Sequence, residues 1–263
     1  MKTALLARAS RSSAQIRHLL EVLLIALVFV TAWHFFVILS EVPPYMLPGP
    51  KAVFERLVSQ WAFLMGHAYI TAVETLLGFV IGVSAGAFLA IVMAFSPLLC
   101  RVIQPPITAS QSLPVFAIAP LLVLWFGFGL GSKIIMAVLV IFFSVTSTFH
   151  DGLRRTSPEL LDLGGLHRLS RWQILRFIRI PAAMPSLASG IRIAAVFAPI
   201  GAIVGEWVGA KGGLAFIMLQ SNARMQTATM FAALLILAVM VLLLRYMAEK
   251  LTRLIVPWQD ITN

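Results

Sequence analysis

Six long stretches of this chain carry almost no charge, and each is close to the length needed to cross a lipid bilayer. They are Val22–Leu39, Thr75–Leu99, Leu113–Gly131, Ile134–Phe149, Pro185–Ala210 and Thr227–Leu244; only the fifth is interrupted, by Arg192 and Glu206. A spanning helix needs roughly 20 apolar residues at about 1.5 Å rise each. Hydrocarbon offers the backbone no hydrogen-bond partners, so such runs must satisfy their own N–H and C=O groups, and a helix does so within one segment. Composition agrees: 60% of the 263 residues are hydrophobic and 11% charged. A soluble domain has nearer 45–50% apolar and about 25% charged residues. The expectation is an all-α membrane protein with about six transmembrane helices.

Orientation follows from the Lys and Arg distribution in the loops. With the N-terminus in the cytoplasm, the inner segments hold 15 of the 20 basic residues. The outer segments hold 5: Lys51, Arg56, Lys133, Lys211 and Arg224. The net charge of +10 is thus mainly a topology signal. The charges are spread over several loops without a nucleic-acid-binding motif, so no nucleic-acid partner is expected. Residues 1–18 form a basic cytoplasmic N-terminus, 19–255 the membrane domain with a basic loop at 151–184, and 256–263 a cytoplasmic tail. The first apolar run is too long for a typical signal-peptide core and no small-x-small site follows it, so it reads as a retained helix. One cysteine, Cys100, excludes an internal disulfide.

Glycine marks the packing. Gly78, Gly82 and Gly86 recur at a spacing of four in the second run, as do Gly201, Gly205 and Gly209 in the fifth. Small residues at this spacing form a groove that lets another backbone approach closely. The first outer loop is held extended by Pro43, Pro44, Pro48 and Pro50, and Ala52–Phe63 then reads as a short helix near the membrane surface. "GFGLGSK", Gly127 to Lys133, resembles a phosphate loop only faintly. The Walker pattern places Gly-Lys before Ser/Thr and follows a strand; here the order is Gly-Ser-Lys between membrane helices, which reads as a tight turn. The sequence carries no nucleotide motif, no His/Cys metal cluster and no nucleophile–base set. The reading is therefore a non-enzymatic chain without its own cofactor; any ATP must be bound by another chain.

The basic loop breaks the apolar pattern. Thr156-Ser157-Pro158-Glu159 reads as a capping box that opens a helix reaching about Leu163, with Gly164-Gly165 ending it. Ser170-Arg171-Trp172-Gln173 reads as a second capping box opening a helix that Pro181 stops. This helix–turn–helix is amphipathic, and such a surface needs either a protein partner or an anionic lipid face.

The segment "DLGGLHRLSRWQILRFIRIP", Asp162 to Pro181, resembles the EAA loop of ABC transporter inner-membrane subunits. Asp162 falls on the acidic position, Leu163-Gly164 on the small pair, and Ile178-Arg179-Ile180-Pro181 on the ending. Leu163 is larger than the pattern asks, Ile180 replaces leucine, and Arg168 stands where the pattern has glycine. "PPYMLPGPKAV", "LPVFAIAPLLVLWFGFG" and "ASGIRIAAVFAPIGAIVGEWVGAKGGLAFIML" resemble permeases of the nitrate/sulfonate/taurine group. Within that group, "GAIVGEWVGAKGGLAFIMLQSNA" looks most like thiamine-precursor (hydroxymethylpyrimidine) permeases. The resemblance implies a type I ABC importer permease fold with a cytoplasmic coupling-helix loop, acting as a homodimer. It also implies a cytoplasmic ATPase dimer holding ATP and Mg, and a periplasmic or lipid-anchored substrate-binding protein. A bacterial cytoplasmic membrane is the implied location. Riboflavin joins sulfonate, taurine and nitrate as an alternative cargo.

On this reading Glu159, Asp162, Gly164, Arg171, Trp172, Ile178 and Pro181 belong to the ATPase-coupling surface. Trp172 either anchors in the ATPase groove or rests in the lipid headgroup layer. Glu74 and Glu206 are carboxylates in or beside apolar helices, which makes them functional candidates by default. Glu74 shares the Gly78 face and either bonds a neighbouring helix or lies near the wet surface. Glu206, beside Trp207, either binds cargo by hydrogen bonding and stacking or pairs structurally. Gln111, Trp125 and Asn222 are further path candidates. A proton-coupled carrier using Glu74 and Glu206 is the competing class; a non-transporting scaffold is the third.

Overall fold

The computed structural model describes residues 20–21, 24–112 and 114–258, at 111 and 112 the backbone only. Every regular element among them is helical. In chain order they are α1 (Leu24–Leu39), α2 (Pro50–Ser59), α3 (Trp61–Phe95), α4 (Pro97–Ser112), α5 (Val115–Phe126), α6 (Leu130–Arg154), α7 (Pro158–Leu166) and α8 (Arg171–Ile174). A π-helical turn (Leu175–Arg179) follows, then α9 (Ile180–Gly209), α10 (Leu214–Ala223) and α11 (Thr227–Ile255). The basic N-terminus and the last tail residues, 259–263, lie outside the described residues.

Four helical stretches are long and apolar enough to cross a membrane: Trp61–Phe95, Leu130–Arg154, Arg171–Gly209 and Thr227–Ile255. The first apolar run appears as the shorter helix Leu24–Leu39. The third differs from expectation. It forms only the 12-residue α5, and it passes as a span only together with α4, to which it is bent by 102°. Pro105 and Pro106 lie inside α4 and Pro120 inside α5, where each removes a backbone donor. The surface helix expected at Ala52–Phe63 instead ends at Ser59. It starts with Pro50 in its first turn, and a single residue, Gln60, separates it from α3.

The chain divides into two compact units. The first comprises residues 1–61 and 221–232. Within it Trp33 stacks on Phe231 at 5.9 Å between ring centroids, and the Thr227 hydroxyl donates to the Pro44 carbonyl at 2.8 Å.

The second unit comprises residues 62–220 and 233–263 and is organised around α6. Gly78, Gly82 and Gly86 of α3 face Ala137, Ile141 and the Phe142 carbonyl of α6. From α9, Gly201 faces the Ala137 backbone, a Cβ there falling 2.5 Å from Ala137 Cα, and Gly205 faces Lys133. Ala137 therefore sits between the two glycine faces and is fully buried. Gly209 meets Val123 of α5. Farther along the α6–α9 seam, Gly190 meets Thr148 and Gly152 meets Ser186, two contacts outside the spacing-of-four series. Without a hydrophobic driving force between helices in lipid, this closeness supplies the attraction through dispersion. Phe79, Ile141, Val145, Ile191, Ala194, Ala198 and Leu244 complete the middle of the core.

Candidate functional site

The opposite ends of α9 carry the two candidate regions. At its N-terminal end, α7 begins with Ser157 as N-cap and Pro158 in the first turn. The expected Thr156–Glu159 capping box does not form. Counting from Ser157, the third helical position is Leu160, not Glu159, and the Thr156 hydroxyl donates back to the Leu153 carbonyl at 3.2 Å. Nor does Gly164-Gly165 end the helix, which runs on to Leu166. The turn comes at Arg168, whose φ of +51° is left-handed. Leu169 N–H donates to the Gly164 carbonyl at 3.0 Å and Arg168 N–H to the Gly165 carbonyl at 2.9 Å. This bond pair is a Schellman motif with arginine in the left-handed position usually given to glycine. The chain thus turns at Arg168, the position at which the pattern has glycine.

The second capping box is present. Gln173 N–H donates to Ser170 Oγ at 3.3 Å, and Ser170 N–H donates to Gln173 Oε1 at 2.8 Å. Pro181, however, does not stop the helix. The chain stays helical from Arg171 to Gly209. The π-turn Leu175–Arg179 immediately before the proline lets Ile180 N–H reach the Leu175 carbonyl, one residue farther back than in an α-helix. Pro181 lacks an N–H and its ring would press on the carbonyl four residues earlier; the wider turn relieves both conditions.

Gly164 is buried because α7 folds back onto this segment: a Cβ there would lie 2.9 Å from Ile178 Cδ1, whereas one at Gly165 would meet nothing within 4 Å. Glu159, Asp162, Arg171, Trp172 and Pro181 are exposed, and Ile178 is half-buried against Gly164. Around them Leu163, Leu166 and Phe177 also face outward, Leu166 at 80% exposure. Trp172 is 53% exposed and sets its ring edge-on to Phe95 at 6.2 Å.

At the other end of α9, Glu206 is 1% exposed. Its Oε1 accepts from the Thr71 hydroxyl at 2.5 Å, and its Oε2 accepts from Ala215 N–H at 2.7 Å and Phe216 N–H at 3.2 Å. Thr71 Oγ1 in turn accepts from Leu214 N–H at 2.8 Å, and His67 Nδ1 accepts from Gly213 N–H at 3.0 Å. The first N–H groups of a helix have no partner within it. Here side chains from α3 and α9 supply one for each of residues 213 to 216, and the carboxylate sits at the positive end of the α10 dipole. Gly213, at φ +115°, permits this, since a Cβ there would fall on the Glu206 carboxyl.

Glu74 is likewise 1% exposed; its Oε2 is buried without a hydrogen-bond partner, and it interacts electrostatically with Glu206 and Lys133. Lys133 Nζ donates to the carbonyls of Phe128 and Gly129 at 2.8 and 2.9 Å, while the Ser132 hydroxyl donates to that of Gly127 at 2.8 Å. The polar side chains of "GFGLGSK" are therefore used in closing their own turn.

Trp207 is partly exposed beside Phe116, ring centroids 5.8 Å apart, and Trp125 is exposed. Asn222, in the first unit, is exposed and its carbonyl accepts from Met225 N–H. The side chain of Gln111 lies outside the described residues. Sequence reasoning missed Thr71, His67 and Lys133. The first two were within reach: extending the glycine stripe of α3 toward its start gives Glu74, Thr71 and His67 on the same face, at helical spacings of three and four.

Residues 78–260 match the family model described as "Binding-protein-dependent transport system inner membrane component". A probable ABC transporter permease protein of Haemophilus influenzae is 47% identical over 83% of this chain and 89% of its own length. The riboflavin transport system permease protein RibX of Chloroflexus aurantiacus is 34% identical, over 90% and 88%. The formylaminopyrimidine transport permease protein ThiX of Halalkalibacterium halodurans is 31% identical, over 82% and 87%. In fold, the chain is similar to one from inward facing conformations of the MetNI methionine ABC transporter, with a TM-score of 0.57 at 21% identity, covering 80% of this chain and 98% of that one. The helical bundle is thus a type I ABC importer permease fold, and the chain belongs to the inner-membrane components of binding-protein-dependent transport systems.

Proposed function

We propose that this multi-pass inner-membrane permease subunit carries a thiamine-precursor pyrimidine, as one of two identical copies lining the path. The observation behind the cargo is chemical. The relatives named for riboflavin and formylaminopyrimidine, 34% and 31% identical, both carry molecules that contain a pyrimidine ring. The exposed surface of Glu159, Asp162, Arg171, Trp172 and the neighbouring leucines is where a cytoplasmic ATPase dimer grips the chain. Gly164, Ile178 and Pro181 hold that surface to α9. ATP and Mg reside on the ATPase, and a periplasmic or lipid-anchored protein delivers cargo to the outer face. Both termini are cytoplasmic, as the basic-residue bias requires. Closure of the ATPases then biases a two-state bundle between inward- and outward-facing forms.

Along the path, Trp207 and Trp125 offer exposed indole faces for stacking a flat ring, with Gln111 as a polar contact; Asn222, in the other unit, is a separate polar candidate. Glu206 and Glu74 act behind that surface, where Glu206 fixes α10 and Glu74 lies beside it.

The test is uptake into proteoliposomes holding this chain, its ATPase and its binding protein. Labelled hydroxymethylpyrimidine should enter saturably and only with ATP. Preference for riboflavin, or for taurine or another sulfonate, would reassign the cargo. Uptake that survives a dead ATPase but collapses with an uncoupler would make the chain a proton-coupled carrier. Asp162→Lys and Trp172→Ala should each lose ATPase binding and cargo-stimulated hydrolysis; retention of both would remove the coupling assignment.

A further inference from the structure

A cavity of about 530 Å³ opens in the second unit between α9 and α11, lined by Ser189, Arg192, Ile193, Phe197, Arg245 and Glu249 among others. Two guanidiniums inside membrane-spanning helices are costly unless something compensates them. Among the described residues neither has a carboxylate within ion-pair distance. Arg192 donates only to the Ser189 hydroxyl, at 3.2 Å. The one acid in the wall, Glu249, is already engaged by Arg253 at 2.5 Å. The cavity is therefore net positive, with two planar donor forks free to take oxygens.

Position and surroundings narrow the ligand. Arg192 lies about 18 Å along the axis from Ile180, and Arg245 about 15 Å from Ile255, at about 1.5 Å rise per residue. Ile191, Ala194 and Ala198 of α9 pack with Leu244 and Ala248 of α11 in one core cluster, so both arginines sit at the same level of this seam. Their long stems can carry the guanidiniums toward the interface. The walls beside them are apolar and open: Ile193 and Phe197 line the cavity and are exposed, and exposed Leu242 lies one turn from Arg245 on the same side of α11. A small soluble anion has no use for such walls; a molecule with an anionic head and hydrocarbon tails does. Basic pockets between transmembrane helices are suited to acidic lipid headgroups, and guanidinium matches phosphate in a bidentate geometry.

We propose that this cavity is a binding site for the phosphate head of an acidic phospholipid, held by Arg192 and Arg245, with the acyl chains along Ile193, Phe197 and Leu242. The site is separate from the ATPase-coupling surface and from the Glu206 cap.

The experiment uses the full chain extracted in detergent, stripped of lipid and returned to nanodiscs of phosphatidylcholine with or without 20% phosphatidylglycerol. Thermal stability and lipid retention in native mass spectrometry are read together. The wild type should retain phosphatidylglycerol and melt higher in its presence. Arg192→Gln with Arg245→Gln should weaken phosphatidylglycerol retention about thirtyfold while leaving phosphatidylcholine retention and the melting point in pure phosphatidylcholine unchanged. Arg192→Lys with Arg245→Lys should fall between the two, since charge remains and the fork is lost. Inorganic phosphate and methanesulfonate, added to the detergent-solubilised chain, should not stabilise it. Equal phosphatidylglycerol retention in the glutamine variant would overturn the site. Stabilisation by free phosphate or methanesulfonate that depends on the same two arginines would overturn the lipid assignment in favour of a soluble oxyanion.

Discussion

The two ends of α9 are built from opposite materials. The N-terminal end is shaped by bonds between residues a few positions apart: the Schellman turn at Arg168, the Ser170–Gln173 box and the π-turn before Pro181. It leaves leucines and tryptophan facing outward. The C-terminal end is shaped by bonds across long stretches of chain, with Glu206 reaching Thr71 at 135 residues' separation, and its polar groups are buried. One end is geometrically finished but chemically open; the other is closed on itself. The first leaves apolar side chains uncovered, whereas the second satisfies its polar groups from within the chain.

Breaking the closed end should cost most. Glu206→Ala leaves the Thr71 hydroxyl and the Ala215 and Phe216 amides without their acceptor, and should lower stability by about 3 kcal/mol, read as a drop in melting temperature in detergent. An unchanged melting point would mean the cap contributes nothing. Glu206→Gln keeps one acceptor oxygen, so it separates holding α10 from cargo chemistry. It should lower transport while expression stays level, and full uptake would remove Glu206 from the transport machinery.

The open end should respond in smaller and more selective steps. Gly164→Leu overpacks the contact with Ile178 and should destabilise by about 2 kcal/mol. Gly165→Leu, facing open space one residue on, should be tolerated, and equal losses at both would contradict the fold-back of α7. Ser170→Ala removes one half of the capping box and should cost about 1 kcal/mol. Arg168→Gly relieves a left-handed arginine and should leave stability level or raise it by about 0.5 kcal/mol; a clear loss would show that the arginine side chain does something the turn does not need. Trp172→Ala should change stability least, by under about 0.5 kcal/mol, while ATPase copurification falls. That pairing of effects is what the proposed coupling surface requires; a large loss of stability with copurification intact would contradict it.

Much of the open end was legible because its determinants are local. Ser170 and Gln173 announce a capping box through spacing alone. The errors there were also local. The first box failed because Ser157, not Thr156, takes the N-cap, shifting the register by one residue. Gly164 looked like a helix terminator when its role is to let Ile178 approach. Pro181 looked like a stop because the alternative, a widened turn ahead of it, depends on the surrounding core of Leu175, Phe149, Leu153 and Ala183. The closed end was legible only as suspicion. Glu206 and Glu74 stand out as charges in or beside apolar runs, but no pattern in the sequence pairs residue 206 with residue 71.

Membrane character, the helix faces smooth enough for close approach and the place where the basic loop interrupts the spans can all be read along the chain. Those follow from transfer free energy and helical period, which act on each segment separately. Helix packing sets the rest: both glycine faces close on Ala137, Glu206 serves the amides of α10, and Arg192 and Arg245 share one cavity. Each of these joins segments far apart in the chain, and such meetings are set by how whole helices pack.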